Sequence, residues 1–305
     1  MRSASVQAFA RLHLGLIDMS AKKRYGAIGV GIEKPRFKVL ARFSHTMEIS
    51  GVDGSEEYLD YVRWIIANIC AHFGIKEKVH LEVQECYPLH VGLGGRTQCG
   101  LAVAHAILSL FELKADLREI ASLLQIGRYT GIGMHVFQYG GFIIDTGREH
   151  HPICLRFPEE WAFVVGIPQG KGLSEEEEQK FMEGVVAGEN VTAEISEQVL
   201  LEMYPALMEK DIVRFGRALR TVQELTGTLF AEVQGGIFSK NSEQALKLIE
   251  DCGAAGCGQS SWGPAVYGLF PTLEKAQHAV EYLRSKDPKT LWFATRARNR
   301  GAAVE

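Results

Sequence analysis

The hydrophobic residues of this chain follow two different periods. In some stretches apolar and polar residues alternate, as in a half-buried strand; in others apolar residues recur every three or four positions, as on one face of a helix. The alternating or short apolar runs predict strands over residues 6–14, 37–43, 79–83, 142–145, 153–157, 161–167, 265–270 and 291–295. The helical spacing predicts helices over residues 58–73, 117–124, 192–203, 211–225, 242–251 and 273–285, and another after the glycines near residue 95.

The order of these elements predicts an α+β protein in two parts. Strands and helices are mixed through both halves of the chain, and layers of helix on antiparallel sheet fit this order. An apolar strand at 161–167 opens the second part, so we expect an N-terminal domain over residues 1–160 and a C-terminal domain over residues 161–305. The acidic run at 174–180 is interpreted as a solvated helix or loop.

A glycine-rich loop leads into one of the predicted helices. Residues 88–110 read PLHVGLGGRTQCGLAVAHAILSL, with three glycines before a stretch whose spacing predicts one buried helix face. Glycine lets the backbone approach a ligand closely, and the first N–H groups of a helix carry partial positive charge, so such a loop can cradle a phosphate. Arg96 and Thr97 add a guanidinium and a hydroxyl, both good phosphate ligands. A tight loop whose glycines only solve a packing problem is the alternative.

A second segment, RLHLGLID, lies near the N-terminus. A strand would place Arg11 and His13 on the same face, and Gly15 permits a turn before Asp18. An arginine, a histidine and an aspartate that converge at a strand end suit anion binding together with metal or base chemistry. A surface salt bridge with an incidental histidine is the alternative.

Two later segments combine glycines with polar side chains. Residues 130–145, TGIGMHVFQYGGFIID, hold four glycines within eleven positions, too many for an ordinary helix or strand. Gln138 and Tyr139 could contact a ligand there, and Asp145 ends a short apolar strand; a glycine-rich hairpin is the structural alternative. Residues 253–264, GAAGCGQSSWGP, form a loop before a strand that could close over the polar end of a ligand or simply connect two elements.

Composition and charge narrow the function. The 305 residues are 46% hydrophobic, enough for one large or two moderate domains, and the net charge of −4 argues against a nucleic-acid-binding surface. No apolar run is long enough to span a membrane and the N-terminus lacks the apolar core of a secretory signal, so we expect a cytoplasmic protein. The six cysteines show no zinc-ligand spacing and are expected to be buried free thiols. Cys99 beside the glycine loop has no evident activating base.

Taken together and in this order, the four segments resemble the GHMP superfamily of small-molecule kinases. Within it they look most like the β-ribofuranosylaminobenzene 5′-phosphate synthases, on the basis of RLHLGLIDM, GLGGRTQ, TGIGMHVFQYGGFIIDTG and GQSSWGPAVY. The third of these is the most specific, and the resemblance runs from about residue 11 to residue 270. It implies a two-domain GHMP-kinase-like fold, with an N-terminal domain like domain 2 of ribosomal protein S5 and a ferredoxin-like C-terminal domain.

The resemblance also implies a reaction. The family is known for a magnesium-dependent transfer from phosphoribosyl diphosphate to 4-aminobenzoate or 4-hydroxybenzoate, which releases diphosphate and carbon dioxide without ATP, in tetrahydromethanopterin biosynthesis. An ATP-dependent GHMP-type kinase is the alternative, and a catalytically idle ligand-binding relative is a third possibility. Kinases of this superfamily usually carry an acidic residue in the third segment, where this chain has no carboxylate before Asp145. The resemblance further suggests a homodimer, and we expect no nucleic-acid or membrane partner.

The residues expected to carry this chemistry lie in or near the four segments. Catalytic roles are predicted for Arg11, His13, Asp18 and Asp145, with Asp18 and Asp145 as the Mg²⁺ ligands. The glycine loop is predicted to bind diphosphate, Tyr139 to line an aromatic pocket, and Ser260 and Ser261 to hold the 5′-phosphate. The full set of predicted substrate contacts is Arg24, Gly92, Leu93, Gly94, Gly95, Arg96, Thr97, Gln98, Gly131, Gly133, Tyr139, Ser260 and Ser261.

Two positions depart from the pattern that the family commonly shows. The loop commonly reads GLGSGTQ, and here Gly95 and Arg96 replace the Ser-Gly pair, which removes a hydroxyl and adds a permanent positive charge. The glutamate of the family's FEYGG segment is Gln138 in this chain. Both changes bear on which substrate is accepted.

Overall fold

The computed structural model describes residues 2–19, 25–51, 56–147, 151–170, 172 and 175–305. These residues form two sheets covered by helices. The strands are β1 (Ser3–Leu16), β2 (Ala27–Ser44), β3 (Glu48–Ser50), β4 (Lys78–Glu85), β5 (Phe142–Asp145), β6 (Ile153–Leu155), β7 (Ala162–Ile167), β8 (Gly256–Gln259), β9 (Val266–Phe270), β10 (Leu291–Arg296) and β11 (Ala303–Val304). The helices are α1 (Glu56–His72), α2 (Gly95–Leu110), α3 (Leu117–Leu123), α4 (Ile132–Gln138), α5 (Glu175–Gly184), α6 (Glu189–Glu197), α7 (Tyr204–Glu209), α8 (Ile212–Gln234), α9 (Lys240–Asp251) and α10 (Leu273–Lys286), with a π-helical stretch at Gln198–Met203. None of these helices is long and apolar enough to cross a membrane.

The larger sheet is organised around the long strand β2. Its whole length runs antiparallel to β1, while its first part pairs with β5 and its last part with β4. The strand order is β11-β1-β2-β4-β3, with β6 beyond β5, and β3 runs parallel to β4. The register of β1 against β2 slips between Phe9 and Arg11 and again between His13 and Gly15. These irregularities bend the strand where it carries Arg11 and His13, since a bulge increases the local twist.

Helix α2 lies inside the N-terminal part of the protein. It packs against β1, β2, α1 and α4, and its buried residues occur all around the helix. The prediction of a single buried face is therefore wrong, because the helix is enclosed by helices as well as by the sheet. The glycine loop thus leads directly into the N-terminus of a helix that lies in the core.

The smaller sheet has the order β10-β7-β9-β8, and all of its pairings are antiparallel. Helices α9 and α10 pack against it in a separate apolar cluster. Helix α8, whose N-terminus is capped by the side chain of Asp211, packs against both β1 and β8 and so joins the two sheets. Strand β11 returns to pair with β1. The division between residues 160 and 161 stays a prediction; it falls between β6 of the larger sheet and β7 of the smaller one.

Several elements differ from the sequence prediction for identifiable reasons. The first part of β2 was missed because residues 27–32 are buried without alternation, as a strand covered on both faces requires. Residues 132–138 form the short helix α4 where a hairpin was the alternative considered. Residues 256–259 form strand β8, paired with β9, instead of a loop. A Cβ at Gly256 would lie 2.5 Å from the carbonyl oxygen of Gly216 in α8. Glycine there reflects a close helix–strand approach.

Candidate active site between the two sheets

A cavity of about 250 Å³ lies where the larger sheet, the glycine loop and helix α8 meet. Its wall also includes the loop at 124–130, the start of α4, part of α5 and the segment at 253–264, called the fourth segment below. Many of the predicted site residues are brought together here. Those that line it are Arg11, His13, Gly92, Gly94, Gly95, Arg96, Thr97, Gly133 and Ser261.

The glycine loop presents the N-terminus of α2 to this cavity. Gly94 caps the helix in a left-handed conformation, with a φ of 77°, and no side chain caps the helix there. The first backbone bond inside the helix is donated by the Gln98 N–H to the Gly94 carbonyl at 3.0 Å, so the preceding N–H groups face out of the helix end. Gly92 also has a positive φ, and a Cβ at that position would overlap the carbonyl oxygen of Ser260. The loop therefore requires glycine both for its conformation and for its contact with the fourth segment.

Two arginines add positive charge beside this helix end. The Arg11 Nη1 donates a hydrogen bond to the Gly92 carbonyl at 2.6 Å. Burial lowers the pKa of Arg11 to about 10, so the guanidinium remains charged at neutral pH. The Arg96 guanidinium lies 4.2 Å from the centre of the Tyr61 ring, which orients it by a cation–π contact. The arrangement can bind a strongly anionic group such as a diphosphate.

His13 is a neutral side chain in this wall. Only 7% of the residue is exposed. Burial, reinforced by the positive charge of Arg11, lowers the pKa of His13 to about 3. At neutral pH the imidazole therefore has one N–H donor and one acceptor nitrogen. It can donate a hydrogen bond to an anion, but it carries no charge.

Ser260 fastens three segments together and lies behind the cavity surface. Its hydroxyl accepts a hydrogen bond from the His13 backbone N–H at 2.9 Å and donates one to the Gly92 carbonyl at 2.6 Å. The residue is completely buried and does not line the cavity, in contrast to Ser261 beside it. The hydroxyl predicted to hold a phosphate therefore positions the glycine loop instead.

Leu93 and Gln98, also predicted as ligand contacts, are buried behind the loop. The Leu93 carbonyl accepts a hydrogen bond from the Arg11 backbone N–H at 3.1 Å. The Gln98 Nε2 donates to the Gly133 carbonyl at 2.8 Å and so ties α2 to α4. Both residues support the shape of the site from outside its lining.

Gly131, Tyr139 and Asp145 line a different cavity, of about 1070 Å³. Helix α4 contributes to the walls of both cavities. Asp145 Oδ2 accepts a hydrogen bond from the Gly131 N–H at 2.6 Å, and its Oδ1 accepts one from the Gly147 N–H at 3.1 Å. Tyr139 is 42% exposed and stacks against His135. Tyr139 therefore lies outside the cavity at the glycine loop, and its role in an aromatic pocket stays a prediction.

The two predicted metal ligands are not brought together at the glycine loop. Asp18 is buried and lines neither cavity. The Asp18 backbone N–H donates to the Gly26 carbonyl at 3.4 Å, and Ala27, which follows Gly26, pairs with Asp145 across the sheet. Both aspartates therefore lie at one end of the sheet, with the start of β2 between them. Among the described residues no three His, Cys, Asp or Glu side chains form a group that could hold a metal. Arg24 lies outside the described residues.

Sequence reasoning missed an aromatic wall and an acidic group in the first cavity. Trp262 and Phe230 line it with their ring centres 4.5 Å apart, and Tyr129 lines it as well. The Trp262 Nε1 donates a hydrogen bond to Glu178 Oε1 at 3.0 Å. Glu178 belongs to the acidic run at 174–180, which the sequence pattern predicts to be solvated. Helical spacing was the signal that could have placed Glu178 on the inner face of α5, because the buried Phe181 and Met182 follow it by three and four positions.

The cysteines are free thiols, but burial divides them. Cys99 and Cys257 are buried, whereas Cys86 and Cys154 are exposed, so the expectation that all six are buried is wrong. Burial raises the pKa of Cys99 to about 12, which leaves a thiol rather than a thiolate at neutral pH. Cys99 lies on α2 in the hydrophobic core, so it is unsuited to act as a nucleophile.

The fold and the glycine loop place this chain in a known class of proteins. The family model described as "GHMP kinases N terminal domain" matches residues 60–141, and the one described as "GHMP kinases C terminal" matches residues 203–289. The crystal structure of a homoserine kinase from Cytophaga hutchinsonii superposes with a TM-score of 0.74 at 18% identity, covering 100% of this chain and 98% of that one. The protein therefore has the two-domain fold of the GHMP kinases.

The sequence relatives define the family more narrowly. A β-ribofuranosylphenol 5′-phosphate synthase from Archaeoglobus fulgidus is 31% identical, with 97% of each chain covered. The protein of the same name from Methanothermobacter thermautotrophicus is 30% identical, with 96% of each chain covered. The chain belongs to this family of synthases within the GHMP superfamily.

Proposed function

We propose that the protein condenses phosphoribosyl diphosphate with 4-hydroxybenzoate or 4-aminobenzoate, releasing diphosphate and carbon dioxide and forming a ribosyl C–C bond. The single observation that carries the proposal is a cavity in which a cationic helix N-terminus faces an aromatic wall. The family name points to the product, and the cavity offers complementary surfaces for a diphosphate and for an aromatic ring. The reaction would be a glycosyl transfer in tetrahydromethanopterin biosynthesis.

The diphosphate of the donor binds at the glycine loop in this proposal. The N–H groups at the start of α2 and the guanidinium of Arg96 donate hydrogen bonds to the diphosphate oxygens, and Arg11 holds the loop through its bond to the Gly92 carbonyl. Charge on the diphosphate grows as its bond to the anomeric carbon breaks. Fixed donors that need no rearrangement stabilise that charge more than they stabilise the bound substrate, and this lowers the barrier.

The acceptor ring lies against Trp262 and Phe230 in this proposal. The ring carbon that bears the carboxylate forms a bond to the anomeric carbon as diphosphate leaves. The bond from this ring carbon to the carboxyl group then breaks, and its electron pair restores the aromatic ring as carbon dioxide departs. The step needs no external base at the reacting carbon. Closure of the site around both substrates would keep out water, which otherwise captures the electron-poor anomeric carbon.

Magnesium dependence is part of the proposal, with the ion entering as a complex of the donor diphosphate. Mg²⁺ in such sites usually keeps several waters and takes one or two carboxylates together with the substrate phosphates. Asp18 and Asp145 do not line the cavity at the glycine loop, so they do not fit as direct ligands of an ion at that position. Removal of Mg²⁺ by a chelator should abolish turnover, and activity that survives chelation would contradict this part.

The decisive assay supplies the protein with Mg²⁺, phosphoribosyl diphosphate and carboxyl-labelled 4-hydroxybenzoate or 4-aminobenzoate, without ATP. We expect labelled carbon dioxide and diphosphate in equal amounts, and a difference in rate between the two acceptors identifies the preferred one. A parallel reaction replaces the donor with ATP and measures ADP. No labelled carbon dioxide from either acceptor would overturn the proposal, and acceptor-dependent ADP formation would show a kinase instead.

A further inference from the structure

Among the described residues that line the cavity, Glu178 is the one with an acidic side chain. It lies on α5 and lines the cavity together with Arg11, while Glu176 on the same helix is exposed to solvent. The Trp262 indole donates to Glu178 Oε1 and so fixes the carboxylate beside the aromatic wall. A carboxylate has about four lone-pair positions, so it can accept a further hydrogen bond from a ligand while it holds the indole.

The cavity therefore combines groups of opposite charge. The glycine loop and its arginines attract negative charge, whereas Glu178 attracts a hydrogen-bond donor or a positive charge. Burial, and after it the charge of Glu178, raise the pKa of Tyr129, another residue of this wall. A ligand that matches these groups carries an anionic group for the glycine loop, a flat apolar body for Trp262 and Phe230, and a polar N–H or O–H group for Glu178.

The chemistry of the proposed reaction gives that polar group a role. When the ring carbon para to a hydroxyl or amino group attacks an electron-poor carbon, positive charge spreads through the ring onto the para oxygen or nitrogen. An anion that accepts a hydrogen bond from this group stabilises the charge as it develops. The charge disappears when carbon dioxide leaves, so the proton shared with the anion returns to the product and none is consumed.

Resting on the proposed function, we propose that Glu178 accepts a hydrogen bond from the 4-hydroxyl or 4-amino group of the acceptor. It thereby acts as a catalytic residue that stabilises positive charge on the ring during attack. The proposal makes Glu178 the residue that selects acceptors with a para N–H or O–H group.

The test compares Glu178→Gln with Glu176→Gln, which removes the same charge from an exposed position of the same helix. Glutamine keeps a similar shape and an oxygen for Trp262, and thermal unfolding of both variants checks the fold. We expect Glu178→Gln to lower kcat for 4-hydroxybenzoate by about 100-fold, in the range of one well-placed general base or charge partner. The KM for phosphoribosyl diphosphate should change less than about twofold, and Glu176→Gln should match the wild type. Equal kcat values for the two variants would overturn the inference.

A second acceptor separates a catalytic role from a structural one. The hydroxyl of 3,5-difluoro-4-hydroxybenzoate is largely ionised at neutral pH, so its ring already carries the electron density that Glu178 is proposed to support. The kcat ratio of wild type to Glu178→Gln should shrink at least tenfold with this acceptor. An unchanged ratio would show that the glutamate acts only on the shape of the site and would overturn the inference.

The wild-type enzyme provides a test that does not depend on any variant. The acceptor 4-methoxybenzoate keeps an electron-donating oxygen but has no proton to share, and a site that hydrogen-bonds a substrate hydroxyl rejects such an analogue strongly. We expect its kcat/KM to be lower by about 100-fold or more than that of 4-hydroxybenzoate. Comparable values would refute the role of Glu178. If the wild type releases carbon dioxide from neither acceptor, the proposed function itself fails, which is a separate outcome.

Discussion

Acid should destabilise this protein through His13. The folded chain holds this imidazole neutral, with a pKa of about 3, because the ring is buried next to the charged Arg11. An unfolded chain leaves the same ring in water with an ordinary pKa near 6.5. Between these two values the unfolded chain binds a proton that the folded chain does not. Stability from this residue is therefore complete above pH 6.5 and is lost as the pH falls toward 3.

The size of the effect follows from the two pKa values. At pH 5 the unfolded imidazole is almost fully protonated and the folded one is not, which corresponds to about 2 kcal/mol of lost stability relative to pH 7.5. Replacing His13 by glutamine removes the titrating group while keeping a polar side chain of similar length. The variant should therefore lose about 2 kcal/mol less than the wild type when the pH is lowered from 7.5 to 5.

Urea unfolding at both pH values, followed by tryptophan fluorescence, measures this difference. Only the change between the two pH values is compared between proteins, so the packing cost of the substitution largely cancels. His278→Gln is the matched control, since His278 is exposed on α10. Identical pH dependence in wild type and His13→Gln would refute the reasoning, and so would a loss of acid sensitivity in the control as large as that in His13→Gln.

Three further predictions test the structure of the glycine loop. Ser260→Ala should lower the free energy of unfolding by about 2 kcal/mol, because it leaves the buried backbone N–H of His13 unpaired and removes one of the two hydrogen bonds to the Gly92 carbonyl. Ser261→Ala, measured in the same urea titration, should cost little, and equal losses would contradict the fastening role. Arg96→Ala should raise the KM for phosphoribosyl diphosphate about 10- to 100-fold, as expected for loss of a charge-assisted hydrogen bond, and unchanged KM and kcat would remove Arg96 from the site. Gly92→Ala should destabilise the fold by about 2 kcal/mol more than Gly74→Ala in thermal and urea unfolding. Both glycines have a positive φ, but a Cβ at Gly74 has nothing within 4 Å, whereas one at Gly92 would overlap the Ser260 carbonyl oxygen. Similar losses would show that the loop moves easily to accommodate the added methyl group.

The amino-acid sequence by itself determined most of the elements and the loop chemistry. Periodicity located the main strands and helices because one face of each must leave water. The spacing of Arg11 and His13 placed both on the cavity side of β1, since alternate residues of a strand share a face. The three glycines before α2 and the motif order pointed to the GHMP fold, which the family models and the structural relative confirm.

Only the tertiary structure decided which polar groups face the ligand. Ser260 and Ser261 are neighbours of one type, yet one lies behind the loop and the other lines the cavity, because the approach of the fourth segment to Gly92 orients them. Trp262 and Glu178 are 84 residues apart and meet where Phe230 of α8 packs against Phe181 of α5 and against Trp262. Local periodicity reports which face of an element avoids water, but a contact between distant segments depends on how whole elements pack. The glycine loop was therefore visible in the sequence, whereas the contact between Glu178 and Trp262 was not.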